Sequence, residues 1–218
     1  MSYVPVPNPT LQRLPAYLQF LKRLQKEGSR TVSCNYIAAE MNLNPVLVRK
    51  DLAAVSSVGG RPKIGYLLDN LIVDVEHYLG YAETCKAVLA GAGHLGCALL
   101  AYPGFPAYGV EIVAAFDQDP TLVGTKIGDK PVLSSIELAG WCRAHDIELG
   151  IITVPAPRAQ SVCDAMVAGG IRGIWNFAPA HLRVPPDILV QNEDMAIPLA
   201  LLSKHLSLIH ISEPTRHL

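Results

Sequence analysis

Apolar residues recur every three or four positions between residues 11 and 24, and this spacing predicts a first amphipathic helix. Gly28 marks its C-terminal end, and Pro15 is expected near its first turn or at its start. Two shorter helical segments follow, with Ser33 and Asn44 as their predicted N-caps. Because the link between these two segments is short, the pair has the spacing of a helix-turn-helix.

Residues 56–66 continue with two adjacent glycines and then with Arg61 and Lys63 on either side of a proline. This sequence predicts a short basic β-hairpin. A helix-turn-helix followed by such a hairpin is a winged helix. Residues 67–80 have the pattern of a further amphipathic helix, which ends at a glycine and connects to the next part of the chain.

From Lys86 onward, near-continuous apolar segments alternate with helical ones. This alternation predicts a parallel, Rossmann-like sheet covered by helices, and therefore an α/β fold class. Residues 192–206 are predicted to form a last helix. Residues 207–218 continue no pattern, so they are interpreted as a frayed or foreign tail.

A glycine-rich loop follows the first predicted strand, residues 87–90. Gly91 permits a tight turn, Gly93 lets the backbone approach a pyrophosphate, and Gly96 lets the next helix pack closely on the strand. Asp117 follows Gly96 by 21 residues, at the end of the next strand, where a carboxylate would bind the adenosine ribose hydroxyls. Because Asp117 would repel a 2′-phosphate, the loop predicts NAD(H) rather than NADP(H).

Two later strand ends are expected to border the same cleft. Thr153, Val154 and Pro155 follow one strand, and Asn176 and Phe177 follow the next. A dehydrogenase would be expected to carry a His, Lys, Tyr or Asp there as acid or base. Since neither strand end offers one, the pattern suits the binding of a nicotinamide ring and argues against an enzyme.

Charge is distributed unevenly along the chain, although the net charge is only −1. Residues 1–66 carry nine Lys or Arg against three Asp or Glu, a net charge of +6, and the remainder carries nine against sixteen. A basic front suggests a nucleic acid partner. The candidates for contact with double-stranded DNA are Asn44, Arg49, Lys50, Arg61 and Lys63.

Other features narrow the class of protein. The five cysteines form no C-x-x-C pair, which predicts buried free thiols. The histidines lack metal-ligand spacing, so no metal site is expected. Neither a signal peptide nor an apolar run near the ~20 residues of a membrane helix is visible, so a cytoplasmic protein without a membrane partner is expected.

Seven short motifs follow one another along the chain: VRKDL (48–52), GY (65–66), GAGHLG (91–96), YPGF (102–105), FDQDP (116–120), TVPA (153–156) and GIRGIWNFAP (170–179). With these motifs in this order, the chain resembles the Rex-type redox-sensing transcriptional repressors over about residues 10–206. The resemblance implies a homodimer that binds operator DNA when the NADH/NAD⁺ ratio is low. It also implies release of the DNA when NADH binds.

The resemblance further implies roles for individual parts of the chain. Residues 192–206 would be a helix that is exchanged with the partner subunit, with Asp194 near the partner's DNA-binding domain. Tyr102 would lie close to the nicotinamide end of the cofactor. Three features depart from the family pattern: the wing lacks an aromatic residue and several glycines, Gln19 replaces an expected Arg, and Met195 replaces an expected Phe.

These inferences predict four segments: a winged-helix DNA-binding domain (1–80), a Rossmann dinucleotide-binding domain (81–190), a C-terminal dimer-swap helix (191–206) and an uncertain tail (207–218). The residues expected to bind NADH or NAD⁺ are Gly91, Ala92, Gly93, His94, Leu95, Gly96, Tyr102, Asp117, Thr153, Val154, Pro155, Asn176 and Phe177. The predicted function is that of a redox-sensing repressor without catalytic residues. The alternatives are an NAD-dependent dehydrogenase and a CoA- or nucleotide-binding module.

Overall fold

The computed structural model describes residues 7–81 and 83–212. These residues form two compact units. The first unit holds the described residues up to Cys85 together with Gly104–Val110, and the second unit holds the rest. No helix among the described residues is both long enough and apolar enough to cross a membrane.

The first unit combines helices with one short antiparallel strand pair. In chain order its elements are α1 (Asn8–Lys26), β1 (Thr31–Val32), α2 (Cys34–Glu40), α3 (Pro45–Val55), β2 (Tyr66–Leu67), α4 (Leu68–Tyr78) and a 3₁₀ turn (Phe105–Tyr108). The predicted N-caps are present, because Tyr36 N donates to Ser33 Oγ and Val46 N donates to Asn44 Oδ1. The helix-turn-helix is therefore α2 and α3, and its apolar faces share one core with α1 and α4.

The prediction that Pro15 lies near the start of the first helix is wrong. Helix α1 begins at Asn8, so Pro15 lies in its interior. An interior proline removes one helical hydrogen bond and costs about 3 kcal/mol. The helix continues through it because Leu14, Tyr17 and Leu18 on either side are fully buried, and burial of such side chains contributes roughly 1.5–3 kcal/mol each.

The predicted basic hairpin is also shorter than expected. Only one isolated bridge, between Arg61 and Gly65, closes the turn. Pro62 has no N–H to extend the ladder, and Lys63 and Gly65 have φ angles of +65° and +85°, which bend the chain out of the extended conformation. The antiparallel pairing of the wing is made instead by β1 and β2, with Val32 opposite Tyr66.

The second unit is a seven-stranded sheet with helices on its faces. Its elements are β3 (Cys85–Ala90), α5 (His94–Leu100), β4 (Val110–Asp117), β5 (Lys126–Ile127), β6 (Lys130–Ser134), α6 (Leu138–Ala144), β7 (Leu149–Ile152), α7 (Ala156–Ala168), β8 (Gly173–Asn176), β9 (Leu189–Asn192) and α8 (Ala196–Ser212). The strand order is β5-β6-β4-β3-β7-β8-β9. The pairs β4–β6, β3–β7, β7–β8 and β8–β9 are parallel, and β5–β6 is antiparallel. This topology brings the ends of β3, β4 and β7 to one edge of the sheet.

The C-terminal part of the chain differs from the prediction in two ways. Residues 191–192 belong to β9 and not to the last helix, which begins at Ala196. Helix α8 also continues to Ser212, so the first six residues of the predicted tail are helical. The last six residues of that tail lie outside the described residues.

Candidate functional sites

Helix α3, the second helix of the helix-turn-helix, is fastened to α1 through a buried carboxylate. The Asp51 side chain is only 2% exposed, and Arg13 Nε donates to its Oδ2 at 2.7 Å. The hydroxyls of Thr10 and Tyr17 donate to the same carboxylate at 2.8 and 2.9 Å. Burial opposes the charge, but these three donors outweigh it and lower the pKa of Asp51. Burial, reinforced by Asp51, raises the pKa of Tyr17 to about 12, so its hydroxyl stays a donor at neutral pH.

This attachment leaves the neighbouring cations of α3 free to face solvent. Val48, Asp51 and Leu52 are buried, whereas Arg49 and Lys50 are exposed. The buried face of the helix therefore carries two apolar side chains and one carboxylate. Its exposed face presents two positive charges to solvent. That is the arrangement required of a helix that meets a polyanion.

A basic cavity of about 520 Å³ lies beside α3. Three of the predicted DNA-contacting residues, Arg49, Arg61 and Lys63, line it together, whereas Lys50 and Asn44 do not. The complete lining is Ser33, Cys34, Asn35, Arg49, Gly60, Arg61, Pro62, Lys63, Gly65 and Tyr66. None of these lining residues is acidic, so the cavity combines three positive charges with neutral hydrogen-bonding groups and suits a phosphate.

The three glycines at the turn from β3 into α5 meet different surroundings. Gly91 has φ +102°, a conformation that L side chains rarely adopt, and a Cβ there would lie 2.9 Å from the Thr153 carbonyl carbon. A Cβ on Gly96 would clash with the Gly91 carbonyl oxygen. A Cβ on Gly93, in contrast, would meet no atom within 4 Å. Gly91 and Gly96 are thus required by the fold, and Gly93 leaves open space beside the backbone.

Asp117 at the end of β4 is held by this loop. Its Oδ2 accepts from Ala92 N at 2.7 Å, and its Oδ1 accepts from the N–H groups of Gln118 and Asp119 at 2.7 and 2.9 Å. On the other side, Thr153 Oγ1 donates to the Gly91 carbonyl at 2.7 Å. The carboxylate is therefore oriented at the loop, where the sequence predicts a ribose-binding group.

A second cavity of about 520 Å³, here called the glycine-loop cavity, opens at this edge of the sheet. It is lined by Ala90, Gly91, Gly93, Phe116, Asp117, Gln118, Ser135, Leu138, Thr153, Val154, Pro155, Arg158, Ser161, Val162 and Ala165. Six of the predicted cofactor residues are brought together in this way: Gly91, Gly93, Asp117, Thr153, Val154 and Pro155. Its size and mixed apolar and polar lining are those of a small-molecule site.

The other predicted cofactor residues lie elsewhere. Ala92 and Gly96 are buried, and the exposed His94 and Tyr102 do not line the cavity either. Asn176 does not offer its side chain to a ligand, because it is 0% exposed and its amide donates to the carbonyls of Ala178 and Ala180 and to Asn192 Oδ1. It binds the end of β8 to the chain that follows it.

Leu95 and Phe177 line a different depression, here called the C-terminal cleft. This cleft has a volume of about 900 Å³ and reaches the start of α8, where Asp194 Oδ1 accepts from Ala196 N. Every described side chain of α8 is exposed. The exposed large apolar residues of this segment are Met195, Ile197, Leu199, Leu201, Leu202 and Leu206. So many exposed apolar side chains on one helix mark an interaction surface.

Sequence reasoning missed the far wall of the glycine-loop cavity. Arg158, Val162 and Ala165 lie at helical spacing i, i+4 and i+7 on α7, and Leu138 begins α6. The spacing of the three α7 residues is visible in the sequence. Nothing in the sequence alone, however, indicates that this face of α7 turns toward the loop.

Among the described residues, no group of three His, Cys, Asp or Glu is placed to hold a metal ion.

Two family models match the chain, one in its N-terminal part and one farther along it. The model described as "Putative DNA-binding protein N-terminus" matches residues 5–53, and the model described as "CoA binding domain" matches residues 82–180. The first model covers α1, α2 and most of α3, and the second model covers the chain from β3 to the end of β8.

A redox-sensing transcriptional repressor Rex from Bacteroides thetaiotaomicron is 45% identical to the chain over 202 residues, which are 93% of this chain and 91% of that protein. The chain belongs to the Rex family. The structure is also similar to that of the Rex-family repressor RSP in complex with β-NAD⁺ and operator DNA, with a TM-score of 0.88, 29% identity and 95% of both chains covered. RSP in complex with β-NADH gives a TM-score of 0.81 at 30% identity, with 95% of this chain and 97% of that chain covered.

The family and fold class predicted from the sequence are thereby confirmed. So is the predicted class of function, because the Rex name describes a redox-sensing regulator of transcription. The Rex relationship extends over both units, whereas the CoA-binding model covers only part of the second.

Proposed function

We propose that this chain is a dimeric repressor that binds operator DNA through its first unit and releases it when NADH binds its second unit. The observation that carries the proposal is the combination of two sites in one Rex-family chain. One is a basic cavity beside an exposed, cationic helix α3. The other is a glycine-loop cavity with an oriented carboxylate.

The basic cavity fits the phosphate backbone of DNA, and the exposed end of α3 fits a groove. Arg49, Arg61 and Lys63 line a space without acidic side chains, so their charges are available to phosphates. Lys50 is exposed on α3 outside that cavity, where it can reach base edges in the major groove. Asn44 contributes by starting α3 at the right point, since its side chain caps the helix.

The glycine-loop cavity fits a dinucleotide. The space beside Gly93 admits a pyrophosphate close to the backbone, and Asp117 is oriented to accept from ribose hydroxyls. Val154 and Pro155 form an apolar wall. In the Rex arrangement, the nicotinamide end would lie toward Tyr102 and toward Leu95 and Phe177 at the C-terminal cleft. NADH supplies the redox signal, and the chain's own residues recognise it.

The lining of the cavity supports a sensor over a dehydrogenase. None of the described lining residues is His, Lys, Tyr or Cys, and the one carboxylate already accepts three backbone N–H groups. Thr153 donates its hydroxyl proton to backbone carbonyls. A general acid or base within reach of a substrate is therefore missing from the described lining of this cavity.

The exposed apolar side chains of α8 support the proposed dimer. A helix that exposes Leu199, Leu202 and Leu206 to water along one stripe gains most by packing against another chain. A second copy fits the proposed function, because a dimer binds two half-sites on DNA. A change in the separation of the two α3 helices would then break both contacts. A tenfold loss of DNA affinity requires only ~1.4 kcal/mol of coupling, and a switch from 1:99 to 99:1 requires ~5.5 kcal/mol.

The test is fluorescence anisotropy of a labelled palindromic duplex with the purified protein, titrated separately with NADH, NAD⁺ and CoA. Release by NADH at concentrations where NAD⁺ has little effect is the expected result. Release by CoA alone would favour a CoA-responsive regulator, the second candidate that the family model suggests. Binding that ignores all three compounds would refute the proposed sensor.

One variant with a matched control tests the DNA site separately from the NADH site. Lys50→Ala should weaken DNA binding about tenfold and leave NADH binding unchanged, because Lys50 lies outside the glycine-loop cavity. Lys26→Ala removes the same charge from the exposed end of α1 and serves as the matched control. Equal effects of the two substitutions on DNA binding would exclude a specific role for Lys50.

A further inference from the structure

The glycine-loop cavity contains one positive charge, and it belongs to a residue that no motif identifies. Arg158 lies in the first turn of α7, and it and Asp117 are the only charged residues among the described lining residues. The Arg158 side chain is exposed and forms no hydrogen bond or salt bridge with any residue that the structure describes. It is therefore available to a ligand.

The ligand that this cavity fits is an anion. The pyrophosphate of a dinucleotide carries two negative charges, and the glycine loop offers it only neutral backbone N–H groups. One of these, Ala92 N–H, is already bonded to Asp117. Asp117 itself adds a negative charge to the cavity. Without Arg158, the lining would oppose the charge of its own ligand.

The position of Arg158 brings it toward the loop. It is one helical turn beyond Pro155, and it shares the cavity-facing side of α7 with Val162 and Ala165. The segment just before α7 touches the glycine loop, since a Cβ on Gly91 would contact both Thr153 and Val154. An arginine at the near end of this helix face has the length to extend across the mouth of the cavity.

We propose that Arg158 is a further ligand-binding residue of the cavity, whose guanidinium binds the pyrophosphate of the dinucleotide. This inference rests on the proposed function and adds to it a charged contact. Arginine suits this role because its planar fork pairs with phosphate oxygens in a bidentate manner. The contact makes the affinity for NADH dependent on ionic strength, because an exposed guanidinium is screened by salt.

The test compares the wild type with Arg158→Gln, Arg158→Lys and the matched control Arg183→Gln. Arg183 is also an exposed arginine of the second unit, and it does not line the cavity. Dissociation constants for NADH, NADPH and ADP-ribose are measured by fluorescence or calorimetry at low and high salt. Arg158→Gln should weaken binding of NADH and ADP-ribose about tenfold at low salt, which matches the loss of a hydrogen bond to a charged group. Arg158→Lys should restore part of the affinity, and Arg183→Gln should change nothing.

The salt dependence gives a readout that a merely structural role would not change. The affinity of the wild type for NADH should fall with salt, and that of Arg158→Gln should fall less. Equal NADH affinities for Arg158→Gln and Arg183→Gln would overturn the inference and leave the proposed function intact. A selective loss of NADPH binding would place the guanidinium at the ribose 2′-position and overturn it as well. Failure of the wild type to bind NADH would refute the proposed function itself.

Discussion

At the scale of single residues, Gly93 and Gly96 lie three residues apart at the start of α5 but meet opposite surroundings. Gly93→Ala adds a methyl group to open space at an ordinary φ of −73°, so the fold should tolerate it while the space for a pyrophosphate is lost. We expect NADH binding to weaken at least tenfold with an unchanged melting temperature. Gly96→Ala forces a carbon against the Gly91 carbonyl and should cost about 1–3 kcal/mol of stability. Thermal unfolding and NADH titration of both variants check this, and a Gly93→Ala protein with normal NADH affinity would contradict it.

The buried Asp51 makes the free energy of unfolding of the first unit depend on pH. Its pKa is lowered in the folded state, so its contribution is present above the unfolded pKa of about 3.9 and is lost as the pH falls through the folded value. Asp51→Asn should cost about 1–3 kcal/mol at pH 7 and less near pH 2.5. Asp69→Asn, an exposed carboxylate of α4, is the control. Urea unfolding followed by helical circular dichroism measures the difference, and an equal loss at both pH values would exclude the assigned role.

The structural roles of individual polar residues were the hardest features to predict from the sequence. Asp51 stands next to Arg49 and Lys50 in one charged run, and only the packing of α3 on α1 shows that its carboxylate points inward. Asn176 ends a strand at a position typical of a cofactor contact, yet its amide is used by the chain itself. The position of Asp117 beside the glycine loop was predictable, because its spacing from the loop and its place at a strand end are local features.

At the scale of elements, helices and strands with strong apolar periodicity were predictable, and short edge strands were not. The helix-turn-helix was indicated by two caps and two apolar faces, which are local signals. Strands β5, β6 and β9 were missed, because they are two to five residues long and at or near the edges of the sheet, where alternation of apolar residues is weak. The wing was only partly predictable, since Pro62 and the positive φ angles of Lys63 and Gly65 limit its turn to one bridge. Its remaining antiparallel pairing is made by β1 and β2, which are distant in sequence.

Helix α8 carries a prediction that belongs to this scale. Its exposed leucines should hold two chains together, so Leu199→Lys combined with Leu202→Lys should convert the proposed dimer into a monomer. Ser203→Lys, on the same exposed helix, is the control for added charge. Sedimentation velocity measures the change in mass, and a palindromic duplex should be bound much more weakly because only one half-site is engaged. A double variant that keeps the mass of the unsubstituted protein would show that α8 is not the dimer contact.

At the scale of the whole molecule, the uneven charge along the sequence matches the proposed separation of a DNA-binding site from a dinucleotide-binding site. The basic residues up to position 66 supply α3 and the basic cavity, whereas the acidic remainder contains the glycine-loop cavity, with Arg158 as the one cation among its described lining residues. The composition alone already separates a basic part of the chain from an acidic part. It could not predict how one site affects the other, because that coupling depends on free-energy differences between states of an assembled protein and not on the pattern of one chain.

Thermodynamic linkage turns the proposed coupling into a measurable equality. If NADH weakens the binding of operator DNA by some factor, bound DNA must weaken the binding of NADH by the same factor. We expect this factor to be at least ten, which corresponds to ~1.4 kcal/mol, and to be much smaller for NAD⁺. NADH titrations with and without a saturating palindromic duplex measure it, and Gly93→Ala should retain the DNA affinity of the free protein while losing the response. An NADH affinity that is the same with and without DNA would mean that the two sites are independent and that this chain does not release DNA in response to NADH.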